Sequence, residues 1–269
     1  MRVTDRRKSI LSLLCYVLLS IVFHIAPVYA EELPPRQAPA RNIKGFWEVN
    51  LYTQTTVRTV VEETRGGVNV AGDAESTRVV ARLATKPWRP VEIYLQAGTA
   101  NLNIDDFDEY RGDYSLAYGG GFSLTLYDHP GPKKFQVITQ GDMFYFTTKD
   151  DKVLVSVCSV EPCDSADDFV DDLVEEEIRW GEWTLVGMGI WRSQYWEPYA
   201  GVRFSLLDST DKLEGSVLGS RKISLEEDDN FGFVFGTNIY FDPRENFAFN
   251  AEAALIDQFS LKIGIKLWY

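Results

Sequence analysis

Twelve ionisable residues stand in stretches whose alternate positions are apolar or aromatic: Glu48, Arg58, Arg78, Arg82, Glu92, Asp142, Arg179, Glu197, Arg203, Glu252, Lys262 and Lys266. A period of two puts such a charged set on one face of a strand and its apolar neighbours on the other. Gathered into one interior, mixed charges of this kind can neutralise one another as a hydrogen-bonded plug, or they can line a narrow path for ions. Acid–base catalysis finds less support. A histidine base needs a reacting partner within hydrogen-bonding reach, and after residue 30 the only histidine is His129, in the turn-like run Asp128-His129-Pro130-Gly131. No nucleophile accompanies it, so the chain is read as a non-enzyme.

Two other groups could carry chemistry. Asp105, Asp106, Asp108 and Glu109 form one acidic cluster, and Asp164, Asp167, Asp168, Asp171 and Asp172 form another. Carboxylate-rich loops can hold Ca²⁺, but these spacings match no calcium motif. Solvated loop charge is the expectation, with no metal and no other cofactor. Cys158 and Cys163 are expected to form a disulfide in an exported protein; a metal site is the alternative, with no histidine nearby to complete it. So small a closed loop contributes about 2 kcal/mol, enough to shape a loop locally.

The elements that must position these residues are strands. Alternation predicts ten, over about 45–61, 76–85, 91–102, 114–127, 134–148, 178–191, 195–206, 231–241, 247–255 and 259–269. Short turns at 86–90, 128–133, 192–194 and 242–246 alternate with longer interruptions at 62–75, 103–113, 149–177 and 207–230. The segment 207–230 reads as a polar loop or as an extension of the strands beyond the membrane. In the sixth strand Ile178, Trp180, Val186, Met188 and Ile190 are taken as the outward apolar row, which sends Arg179 inward. An even strand count with one side of long loops predicts an all-β fold, a transmembrane antiparallel up-and-down β-barrel of about ten strands (eight to twelve), with both termini periplasmic. A soluble sandwich or lipocalin-like barrel would reverse the two faces, and periodicity alone does not separate them.

The first thirty residues tip that choice. Arg2, Arg6, Arg7 and Lys8 precede an apolar run from Ile10 to Ile25, and Val28-Tyr29-Ala30 supplies small residues at a cleavage position. Residues 1–30 are therefore read as a signal peptide, 31–43 as a proline-rich periplasmic arm, and 44–269 as the barrel domain. After the leader no apolar run is long enough for a transmembrane helix. The formal charge of −13 argues against nucleic acid as a partner.

At the C-terminus Phe259, Leu261, Ile263, Ile265, Leu267 and Tyr269 alternate with Ser260, Lys262, Gly264, Lys266 and Trp268. This strand resembles the C-terminal signature strand of bacterial outer-membrane β-barrels. The phrase Pro198-Tyr199-Ala200-Gly201-Val202-Arg203-Phe204 is similar to strand phrases of the small OmpA-like and opacity-type barrels. The resemblance implies residence in the outer membrane of a Gram-negative cell, contact with lipid and lipopolysaccharide, and a last strand read by the outer-membrane assembly machinery with Tyr269 as assembly signal. It singles out no member with a known activity and no extracellular partner. The function expected is a structural or surface-interaction role with the lumen plugged by ion pairs; the alternative is a narrow porin-like channel for ions or small solutes.

Overall fold

Alternating β-branched, aromatic and small residues build one antiparallel sheet that closes on itself. The computed structural model describes residues 47–63, 69–88, 90–105, 110–129, 134–158, 169–193, 195–215, 219–227, 229–241 and 246–269. The expected signal peptide and arm, Cys163 and most of both acidic clusters lie outside them, as does the side chain of Cys158. The strands are β1 (Trp47–Glu63), β2 (Asn69–Trp88), β3 (Val91–Asp105), β4 (Tyr110–Asp128), β5 (Lys134–Cys158), β6 (Phe169–Arg192), β7 (Trp196–Gly215), β8 (Gly219–Glu227), β9 (Phe231–Tyr240), β10 (Phe247–Leu255) and β11 (Phe259–Trp268). They belong to a unit spanning Lys44–Tyr269.

The ring closes where β11 pairs with β1, from Glu48↔Trp268 to Val57↔Phe259. The backbones of Trp47 and Tyr269 exchange hydrogen bonds at the edge of this seam. We call the end that carries the chain termini the terminal end and the opposite one the far end. Near the terminal end ten strands form the wall, because the lower part of β7 pairs with β9 and the circuit returns through β10 and β11. Beyond the β10–β11 turn the wall changes. The upper part of β7 pairs with β8 over Ser209↔Leu225 to Gly215↔Gly219, and β8 pairs directly with β1 at Val60↔Glu227 to Glu62↔Leu225. Ten strands become eight. The segment 207–230 is thus largely strand, as is much of 149–177: β5 and β6 stay paired from Lys134↔Arg192 to Cys158↔Phe169.

The two halves of the barrel have opposite polarity. Around the ten-strand half the outer face is apolar, with Leu95 73%, Leu116 72% and Trp88 70% exposed, and with Leu83, Phe122, Leu185, Val202, Phe233 and Ile265 in the same belt. Such a belt fits hydrocarbon, because the strands of the wall hydrogen-bond to neighbours on both sides and the sheet closes on itself. In the eight-strand half the inner face carries an apolar core: Val60, Leu102, Ile104, Tyr110, Phe146, Ile178, Trp180 and Leu225 form one buried cluster, with Glu176 and Asp211 also buried on that face. Its outer face carries Asp73, Asn103, Arg111, Asp113, Lys149, Glu175, Glu177 and Arg179. This projection is packed like a water-soluble barrel, apolar inside and charged outside.

That reversal overturns the reading of the sixth strand. Ile178 and Trp180, at 1% and 2% exposure, together with Val186, Met188 and Ile190, face inward, and Arg179 faces out, paired at 2.9 Å with Glu177. The outward row of β6 runs Glu177, Arg179, Gly181, Trp183, Leu185 and then glycines, so in the belt both rows of the strand are apolar and period two does not choose between them.

Candidate functional site in the barrel lumen

At the level where ten strands become eight, six charged side chains meet inside the barrel. Glu182, on the inner row of β6, is 4% exposed. Its Oε1 accepts from Arg203 Nη2 at 2.7 Å and Arg58 Nη2 at 3.1 Å, and its Oε2 accepts from Arg78 Nη2 at 2.7 Å. Arg58 Nη1 lies 2.8 Å from Glu227 Oε2 on β8, and Arg203 Nε lies 3.4 Å from Asp257 Oδ2 in the β10–β11 turn. Three guanidiniums thus meet three carboxylates. Such balance is what makes burial of these charges tolerable, since each charge left alone would cost several kcal/mol. Ser205 Oγ reaches Glu227 at 3.2 Å and Asp257 at 3.1 Å, and Gln258 Oε1 accepts from Arg58 at 2.5 Å. Burial pushes the Glu227 carboxyl above its ordinary range, against the pull of Arg58.

Above this network the barrel is filled. The Arg78 guanidinium packs 4.7 Å from the Phe144 ring centroid and 5.6 Å from that of Phe146, which stacks on Trp180 at 6.2 Å. The roof of the lumen is therefore an ionic layer capped by an apolar core. Below the roof lies a cavity of about 90 Å³, lined by Arg78, Arg82, Asp142, Glu182, Arg203 and Lys262 among others. Its size and polar walls suit a few ordered waters.

The remaining inward charges hold one another around the ten-strand wall. Arg82 pairs with Glu92 at 2.7 Å and lies 3.5 Å from the Tyr94 ring centroid. Tyr94 donates to Asp142, which also accepts from Gln140 at 2.7 Å. Lys262 pairs with Glu252 at 2.6 Å, and Tyr199 donates to that carboxylate at 2.8 Å. Tyr240 donates to Glu197 at 2.5 Å, and Trp268 Nε1 donates to Glu48 at 2.9 Å. Lys266 faces the same interior, half-buried. Glycines give these tyrosines room: a Cβ at Gly121 would stand 2.5 Å from the Tyr94 hydroxyl, and one at Gly236 the same distance from that of Tyr199. Each ring lies across the glycine of the neighbouring strand, so the small faces of β4 and β9 are seats for aromatic side chains.

Of the twelve charges picked out by alternation, Arg179 is on the outside and the other eleven point inward. Glu182, Glu227 and Asp257 were not among them. Glu182 was hidden by the reversed face of β6, although a lone carboxylate between Gly181 and Trp183 in an apolar strand is itself a signal. Glu227 and Asp257 sit in segments that read as loop and turn. His129 lies at the terminal end, where its backbone N–H donates to Phe135 O at 2.9 Å. Of the first acidic cluster, Asp105 is paired with Arg111 at 2.7 Å. Among the described residues no three His, Cys, Asp or Glu side chains converge as a metal site.

No protein-family model matches the chain, and no curated protein does either. Solved structures do resemble it. The outer membrane protease OmpT from Escherichia coli superposes with a TM-score of 0.54 at 11% identity, over 85% of this chain and 98% of that one. The translocator domain of autotransporter NalP from Neisseria meningitidis gives a TM-score of 0.43 at 12% identity, over 86% and 90%. The COG4313 outer membrane channel from Pseudomonas putida F1 gives 0.40 at 9% identity, over 88% and 100%. At such identities the likeness speaks to shape, and OmpT alone of these three passes one half in TM-score. In fold, this chain is a closed antiparallel β-barrel that resembles the OmpT barrel in shape.

Proposed function

We propose that this is an outer-membrane protein whose barrel is closed by its own side chains and whose role is structural or surface-interacting rather than enzymatic. In this reading a leader (1–30) is cleaved, an arm (31–43) remains in the periplasm with both termini, and the eight-strand projection stands outside the cell. The observation that supports it is the lumen roof: the six charges around Glu182, backed by Phe146 and Trp180, are buried inside the barrel between the ten-strand lumen and the far end. Lipid and lipopolysaccharide would meet the apolar belt and its rim, and the charged outer face of the projection would meet other partners. Planar-bilayer recording of the refolded barrel tests this. No stable conductance steps are expected; steps whose size changes on Arg78→Ala or Arg82→Ala would replace the plug with the narrow channel.

The last strand supports the assembly part of the reading. Ile263, Ile265 and Tyr269 face outward, Tyr269 at 70% exposure, while Lys262 on the other row pairs inside. Tyr269 is proposed as the residue read by the assembly machinery. Deleting it should lower the inserted fraction in cells several-fold while leaving refolding into vesicles in vitro nearly intact. Equal insertion with and without Tyr269 would remove that role.

A further inference from the structure

The β10–β11 turn is unlike the rest of the barrel. Ile256 has φ 88°, the only positive φ at a non-glycine residue among those described, in a region that a β-branched side chain adopts only under strain. The turn stands where three courses of sheet diverge: β8 leaves toward β1, while β9 continues down between β7 and β10. Among the described residues no backbone hydrogen bond ties residues 256–258 to β8 or to β1. Strand pairing pins the two ends of the turn, at Leu255↔Phe233 and Val57↔Phe259, and the side chains that hold the residues between them are incompletely satisfied. Asp257 Oδ1, Gln258 Nε2, Arg203 Nε and Arg58 Nε are all buried without a hydrogen-bond partner. Asp257 fits because Gly232 has no side chain: a Cβ there would stand 2.1 Å from Asp257 Oδ1.

We propose that Arg203 and Ser205, beside Arg58, form a binding site for an oxyanion, a carboxylate or a phosphate group, which the Asp257 carboxylate occupies as an internal stand-in. Without Asp257 the cluster holds three guanidiniums and two carboxylates, so one positive charge and the donors now turned toward Asp257 and Gln258 become available. Guanidiniums suit carboxylate and phosphate because their N–H groups form planar forks. An incoming oxyanion takes the place of Asp257, the 256–258 turn swings outward, and the strain at Ile256 is released. Arg203 also lines the cavity below, which gives the ligand's attached atoms somewhere to lie. The site opens sideways, at the sheet junction, so the Phe146–Trp180 core stays shut and no conduction is required. This inference extends the closed-barrel reading without depending on it.

The test uses the full mature chain refolded in phosphatidylcholine vesicles. Asp257→Ala should be less stable to urea than wild type. Sodium phosphate or sodium acetate should raise its folded-to-unfolded ratio at least roughly tenfold, as a ligand that binds only the folded state does, while chloride at equal ionic strength should not. The phosphate and acetate arms tell the two ligand chemistries apart. Adding Arg203→Gln should abolish the rescue. An equal effect of chloride, or rescue that survives Arg203→Gln, would overturn the proposal. Should Asp257→Ala fail to fold, hydrogen exchange on the wild-type protein decides: phosphate should speed exchange at residues 256–258 by roughly threefold or more, and unchanged exchange there would overturn it equally.

Discussion

Glu182→Gln is expected to destabilise the folded barrel by about 3–5 kcal/mol, the range for breaking a buried ion pair by removing one partner. Both carboxylate oxygens are in use, and three guanidiniums converge on them from β1, β2 and β7. The amide would keep one acceptor, remove the charge and turn a donor toward an arginine. Urea titration of vesicle-refolded protein, read by the heat-modifiable shift in gel mobility, measures the effect. A matched exposed site provides the scale. At Glu177 the hydrogen bond from Arg179 holds the carboxyl below its usual range, so its small contribution is present above the ordinary carboxylate pKa and fades as pH falls through the lowered one. Because Arg179 is 54% exposed, Glu177→Gln should change stability by less than about 0.5 kcal/mol. If Glu182→Gln behaved like Glu177→Gln, the roof of the lumen would have no role in holding the ring together.

The contrast between these two glutamates also shows which parts of the structure the amino-acid order reveals. The closing seam is legible because Phe259–Tyr269 alternates without a fault, and its partner β1 alternates with Tyr52, Thr53 and Thr55 as exceptions over Trp47–Val57, so the face each residue takes follows from period two. The inward charges of the ten-strand wall follow for the same reason. Legibility fails where the environment of the outer face changes along one strand. Along β6 the outer row passes from Glu175, Glu177 and Arg179 to the apolar Trp183 and Leu185, while the inner row carries Val174, Ile178 and Trp180 around a buried Glu176 above Glu182 and is apolar again from Val186. A single strand read as wholly lipid-facing on its more apolar side therefore comes out reversed, and Glu182 is lost with it. The oxyanion site is less legible still. It needs Glu227 and Asp257, which meet only because β8 bypasses β10 and β11 to reach β1, and a pairing between segments that far apart leaves no trace in local periodicity.

The same change of environment predicts where charge is tolerated on the outer face. Leu95→Arg is expected to cost about 2–4 kcal/mol in vesicles, as cationic substitutions do at the bilayer midplane on the lipid face of a barrel. Asn103→Arg, on the same face of β3 and about 27 Å further along the strand, should change stability by less than about 0.5 kcal/mol. Leu95 is 73% exposed with Leu83 opposite on β2, whereas Asn103 is flanked by Glu75 and Arg111. Exposure to water would leave an arginine at either position nearly neutral, so the difference between the two costs measures lipid contact directly. Urea titration of the two variants in vesicles of one thickness gives it. Equal penalties would place Asn103 in hydrocarbon too, and the buried cluster of Leu102, Ile104, Phe146 and Trp180 would then have apolar surroundings on both sides of its wall. Equal and negligible penalties would take the belt out of lipid altogether. Only a large cost at Leu95 with almost none at Asn103 agrees with a barrel whose ten-strand half is solvated by lipid and whose eight-strand half folds around its own core.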